Sequence, residues 1–256
     1  MLLITEALLL ILSALGQDHR AAVEGQIYPL DMALNSVDDQ YDGCRENMKK
    51  DVETKYLMNE INTSPIFKIA WNKGKDFVKP PYKILSENHK IAIHVYSDAS
   101  VYKDFNSDTR IGKEQYKNRR YKWYSLYFLL TDAIQILKKT DQKNKCHSTC
   151  RGTDVEFDEN VLNKEVRFGS LTSSSTCRGK SKFFGSKSCF EIETCLGAEV
   201  SEYSKLPKEK EVMIPSYEKF KVTAVRKRKD DKDLWCETVF TLKSSGKISN
   251  LNCAVA

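Results

Sequence analysis

The segment SKLPKEKEVMIPSYEKF, residues 204–220, sets two carboxylates, Glu209 and Glu211, two positions apart and directly ahead of the apolar run 212–214. In an extended chain, residues i and i+2 project to the same side. A strand opened by Glu211 would therefore turn both carboxylates toward one site. Like charges held that close cost free energy unless a cation, a donor or a substrate offsets them. The chemistry on offer is that of a site built to meet one of the three. Lys208 and Lys210 flank the pair, so the bland alternative is a solvated, self-neutralising turn between strands.

The elements that would position such a pair change character along the chain. From Asp31 to about Glu60 there is little Gly or Pro, and Met48, Val52, Tyr56 and Met58 sit near helical spacing, with Asn35 or Ser36 as a candidate cap. PIFKIAWNKGKDFV reads as a second helix. KIAIHVYS, residues 90–97, reads as a strand or a short buried helix. RRYKWYSLYFLLTDAIQILKK, residues 119–139, is the clearest helix, with Trp123, Tyr127, Leu130, Ile134 and Leu137 on one stripe. From about Cys146 onward, short runs such as VRFGSLTS, CFEIETCL, EVMIP, EKFKVTAV and LWCETVFTLK alternate apolar and polar residues between turns, as antiparallel strands do. Helices first and strands later imply an α+β protein. The expected layout is a helical lobe over about 31–140 and a β lobe over about 146–253, within a single domain spanning 17–256.

The chain of 256 residues is 41% hydrophobic and 30% charged, which suits a folded globular protein and argues against extensive disorder. Its net charge of +6 is partly local, because the basic run in VRKRKDD, residues 225–231, is answered by acidic neighbours. No basic stripe with interleaved aromatics marks a nucleic-acid partner. Residues 7–15 form an apolar run followed by Gly16, which predicts a signal peptide over 1–16 with cleavage before Gln17; the run is shorter than the roughly 20 residues a membrane span needs. The sequence stops at NLNCAVA without an apolar tail, so no membrane anchor and a secreted, extracellular product are expected. Eight cysteines agree with export and with disulfides. Neither they nor the four histidines fall at zinc spacing, so no metal is expected. One glycosylation sequon begins at Asn62 and is followed directly by Pro65.

Five segments, PLDMALNSVDDQYDGC (29–44), CRGT (150–153), VRFGSLTSSS (166–175), TCLGAEV (194–200) and EKEVMIPSYEKFKV (209–222), occur in this order. Together they resemble the vertebrate ecto-mono-ADP-ribosyltransferases that modify arginine, relatives of clostridial and cholera-type toxins. The resemblance covers nearly all of the chain beyond residue 16. It implies the ADP-ribosyltransferase fold, a helical lobe packed on an antiparallel β-sandwich with an NAD cleft.

The resemblance also assigns the site. It places the family's Arg-Gly on Arg151 and Gly152, its serine on Ser173 and its Glu-x-Glu on Glu209 and Glu211. Arginine offers planar, charge-assisted donors to phosphate and ribose oxygens. Breaking the nicotinamide–ribose bond builds oxocarbenium-like charge, which a carboxylate fixed beside the ribose stabilises. That role falls to Glu211, oriented by Ser173; Glu209 would receive the acceptor guanidinium and help remove its proton. Tyr96 and Ser204 match residues beside the NAD site, although Tyr96 reads equally well as core. Two departures stand out: Cys150 where the family has an aromatic before Arg-Gly, and Ser170 where it has Gln after RFG.

The expected reaction is transfer of ADP-ribose from NAD(P)+ to arginine side chains of extracellular proteins, by a monomer, with release of nicotinamide. An NAD glycohydrolase and a catalytically idle binding module of the same fold are the alternatives. The resemblance further pairs Cys44 with Cys253 and Cys146 with Cys195. Cys177 with Cys189 and Cys150 with Cys236 complete the expected set.

Overall fold

A computed structural model describes residues 25–81, 83–141, 146–176, 185–205 and 210–256. The signal segment expected over 1–16 lies outside these residues, as do Cys177 and Glu209. After the short strand β1 (Ile27–Tyr28) come α1 (Arg45–Asp51), a π-helical turn (Val52–Tyr56), α2 (Leu57–Thr63), α3 (Pro65–Phe77), α4 (Glu87–Tyr96), α5 (Ala99–Ile111), α6 (Lys113–Lys117) and α7 (Tyr124–Thr140). The strands follow: β2 (His147–Thr153), β3 (Glu156–Phe157), β4 (Glu165–Val166), β5 (Thr172–Ser175), β6 (Ser188–Thr194), β7 (Ala198–Glu199), β8 (Glu211–Ile214), β9 (Glu218–Lys227) and β10 (Thr238–Lys247). The division into a helical and a strand half is as expected.

Several helix boundaries differ from the sequence reading, each for a tertiary reason. No helix forms over 31–44, because Asp38 and Asp39 there serve distant partners. Asp38 accepts from Arg167 Nη1 (2.8 Å) and the Leu251 amide; Asp39 accepts from the Cys253 amide and the Tyr116 hydroxyl. The helix expected over 119–139 begins only at Tyr124, since Arg119 has a left-handed φ of 56° and the remote carboxylate of Glu60 accepts the Ser125 amide at 3.0 Å. The ambiguous 90–97 segment is the second half of α4. Ser86 caps it, its hydroxyl accepting from the His89 amide while the His89 ring nitrogen Nδ1 accepts from the Ser86 amide. The sequon residue Asn62 sits in the last turn of α2, just before the α3 cap Ser64.

One eight-stranded sheet has the order β4-β9-β10-β6-β2-β5-β8-β7. It is mixed rather than wholly antiparallel, because β10 runs parallel to β6. Its two parts meet at one residue pair, Cys150 of β2 opposite Ser175 of β5. One apolar core joins the helices to Leu171, Ala198, Val200 and Met213 from the β5-β8-β7 side. A second core, with Phe190, Phe220, Val222, Phe240 and Leu242, belongs to the larger part of the sheet.

Cys44–Cys253 and Cys146–Cys195 are bonded as expected. The third bridge is Cys189–Cys236, and it overturns both remaining pairings, Cys177–Cys189 and Cys150–Cys236. The cause is the parallel β6–β10 neighbourhood, in which Thr238 lies opposite Ser188 and brings Cys236 beside Cys189. Cys150 is disulfide-bonded as well.

Candidate active site

The site lies where β2, β5 and β8 come together. Arg151 and Gly152 sit in the second half of β2, both buried. The antiparallel pairing of β5 and β8 places Ser173 opposite Met213 and Ser175 opposite Glu211. Glu211 is thus one diagonal step from Ser173, within reach of a cross-strand side-chain contact. The Ser173 hydroxyl donates to Glu211 Oε1 at 2.6 Å, and Arg151 Nη1 donates to the Ser173 carbonyl at 2.6 Å. Three residues separated by up to 60 positions are joined through one serine.

Glu211 is 2% exposed, and its Oε2 has no hydrogen-bond partner among the described residues. Burial pushes its carboxyl above the ordinary range, while bonds from Ser173 and Ser204 and the charge of Arg151 pull it back. An orphaned buried carboxylate oxygen is costly, and native proteins rarely leave one without a function. A ligand hydroxyl presented to this carboxylate would satisfy it.

The premise that Glu209 and Glu211 project to one side does not pass through Lys210. That residue has a left-handed φ of 47°, so the chain is not extended between the two glutamates, and the strand begins only at Glu211. Glu209 itself lies outside the described residues.

The remaining expected site residues divide. Ser204 is fully buried, with its hydroxyl 3.4 Å from that of Ser97. Next to it, Lys205 Nζ donates to Asp98 at 2.8 Å. Together these contacts clasp residues 204 and 205 onto the α4–α5 junction. Tyr96 is core: its hydroxyl donates to the Leu171 carbonyl at 2.8 Å and accepts from Asn106, and burial raises it to about 12. It steadies the approach to β5. Ser170 is also buried, its carbonyl accepting from the Thr172 hydroxyl. Cys150 is buried and bridged, and the Arg151–Ser173 contact forms beside it.

Sequence reading did not foresee the supports. Arg167 is buried with Asp38 and also donates to the carbonyls of Met32, Ala33 and Ile248. It ties the start and end of the described chain to the approach to β5. Gly169, two residues on, has φ 75°, and a Cβ there would meet Ala33 at 2.8 Å. The RFG and VDD segments carried this signal, but an arginine and an aspartate in separate motifs do not announce that they pair.

A mixed-sheet α+β fold that joins an arginine, a serine and a buried strand-opening glutamate across adjacent strands is the arrangement expected of an enzyme that breaks the glycosidic bond of NAD. The family model "NAD:arginine ADP-ribosyltransferase" matches residues 30–246. The chain belongs to this family. It is 34% identical over 233 residues to NAD(P)(+)--arginine ADP-ribosyltransferase 2 of Gallus gallus, covering 88% of this chain and 72% of that protein. It is 34% identical over 234 residues to T-cell ecto-ADP-ribosyltransferase 1 of Rattus norvegicus, covering 88% and 79%. The crystal structure of the mono-ADP-ribosyltransferase ART2.2 superposes with a TM-score of 0.73 at 31% identity, over 89% of this chain and 99% of that one. Mutants of ART2.2 have been crystallised with NADH and with NAD.

Proposed function

We propose that the protein transfers ADP-ribose from NAD+ to arginine side chains of extracellular proteins and releases nicotinamide. The observation that carries this reading is the Arg151–Ser173–Glu211 linkage, with one oxygen of a buried glutamate left without a donor. The residues fit the substrate. Arg151 makes no other side-chain hydrogen bond among the described residues, so its remaining guanidinium donors suit a phosphate or ribose oxygen. Glu211 Oε2 suits a ribose hydroxyl, and the carboxylate then lies beside the carbon on which positive charge grows as the nicotinamide bond breaks. Glu209, on the segment just ahead, would pair with the acceptor guanidinium and take its proton as nitrogen attacks that carbon. Gly152, Ser170 and Ser204 shape the surrounding wall, and Tyr96 steadies it. NADP+ is a second expected donor.

Three placed disulfides and the ecto-enzyme relatives support a location outside the cell. No helix among the described residues is long and apolar enough to cross a membrane. The test is incubation with NAD+ and agmatine, with nicotinamide and ADP-ribosyl-agmatine both quantified. Equal yields of the two support transfer. Nicotinamide without the conjugate assigns a glycohydrolase, and neither product assigns an idle binding module.

A further inference from the structure

A cavity of about 740 Å³ lies in the helical half, between α2 with the preceding π-helical turn and the loop before α7. None of Arg151, Ser173 and Glu211 lines it. Four cations line it, Lys55, Arg119, Arg120 and Lys122, against a single carboxylate, Glu60. Lys122 has a counter-ion in Asp108 at 3.6 Å. The other three have no carboxylate within ion-pair distance among the described residues; Lys55 lies over the Tyr56 ring, and Arg119 reaches only the Val255 carbonyl at 3.5 Å. Concentrating unpaired like charge in one concavity raises a local positive potential that favours anions.

Three further features bear on the occupant. Arg119 holds a left-handed backbone that a non-glycine residue adopts at a cost, and it does so at the wall of this cavity. The Tyr56 hydroxyl is buried without a partner in the same wall. Burial raises Glu60 to about 8 in spite of its bonds from Ser125, so at neutral pH it does not cancel the cations.

We propose that this cavity binds a sulfated saccharide. The aromatic rings that line it, Tyr56, Phe67, Tyr121, Trp123 and Tyr124, are all buried and offer no open face for stacking a base, which disfavours a nucleic acid. The exposed uncharged polar side chains are Asn59, whose amide can donate and accept, and Thr63, whose hydroxyl donates to the Asn59 carbonyl at 2.8 Å and keeps its lone pairs for a sugar hydroxyl; both sit beside guanidinium forks suited to sulfate. The disulfides support a location outside the cell, where sulfated saccharides occur.

The test uses the disulfide-bonded protein and a heparin-derived hexasaccharide, with binding followed by calorimetry at physiological salt. Saturable binding at one site is expected, and R119Q/R120Q should weaken it by about tenfold or more. K221Q/K243Q removes the same charge from exposed neighbours on β9 and β10 and should change affinity by less than about twofold. NAD hydrolysis and the melting temperature report folding of each variant. If R119Q/R120Q proves unfolded, K55Q/R120Q replaces it with the same expected loss. Absence of saturable binding overturns the proposal, as does equal weakening in the two charge-matched variants. Equal affinity for a single-stranded oligonucleotide or for anionic vesicles would also overturn it, by showing attraction to charge alone.

Discussion

At the scale of single residues, Glu211 carries the heaviest demand. In the proposed reaction it works as a buried carboxylate, and Ser173, Ser204 and Arg151 oppose the desolvation that pushes its proton affinity up. Glu211→Gln should lower nicotinamide release and arginine transfer together, by about 100-fold or more, as for other lost electrostatic stabilisers. Glu209→Gln should abolish transfer to agmatine and leave NAD hydrolysis largely intact, and equal loss of both activities would refute the division of labour. Ser173→Ala makes a separate prediction. It removes a donor that lowers the Glu211 proton affinity, so the acid limb of the kcat/KM profile should move to higher pH. An unmoved limb would show that Ser173 does not tune the carboxylate. The Arg, Ser and Glu of this trio were legible because each sits in a short motif of recognisable order. The geometry between Glu209 and Glu211 was not, since alternation along a strand cannot reveal a left-handed Lys210.

Between elements, two junctions rest on buried or half-buried carboxylates. The clasp of Lys205 on Asp98 is partly buried, and against the desolvation of burial the bonds from Lys205 and Ser100 hold Asp98 well below the usual carboxylate range. Lys205→Met should release Lys205 from Asp98 and, under the proposed role of Glu209, cost transfer to agmatine roughly tenfold, more than it costs NAD hydrolysis, because small misplacements of a reacting group are expensive. Steady-state kinetics with and without agmatine would expose equal losses, the result against it. At the other junction, Glu60 binds the start of α7 while burial raises it to about 8. From the unfolded carboxylate range up to about 8 the folded state holds one proton more than the unfolded, so stability falls as pH rises across that window. Glu60→Gln should therefore raise Tm more at pH 8 than at pH 5, by about 2–4 °C for each kcal/mol recovered. Helix periodicity located α3 and most of α7. It could not foresee that Glu60, Asp38 and Asp39 would serve remote amides, which is why two helix starts were misplaced. Nor could the sequence give the parallel β6–β10 contact that unites Cys189 with Cys236, two cysteines 47 residues apart.

For the molecule as a whole, the Arg167–Asp38 pair and the Cys44–Cys253 bridge bring both ends of the described chain to one place. Loss of the bridge through Cys44→Ala with Cys253→Ala should lower stability by about 2–5 kcal/mol, measured by denaturant unfolding without reductant. The bridge closes a sequence separation of 209 residues. Everything from α1 to β10 therefore lies on a covalent ring. A protease that cuts one exposed turn of that ring, such as the one joining β9 to β10, opens it into a line without freeing a fragment. Such a nicked molecule should migrate as one band until its disulfides are reduced. An enzyme so closed can lose a peptide bond to a protease and still keep its helices and its sheet in one body.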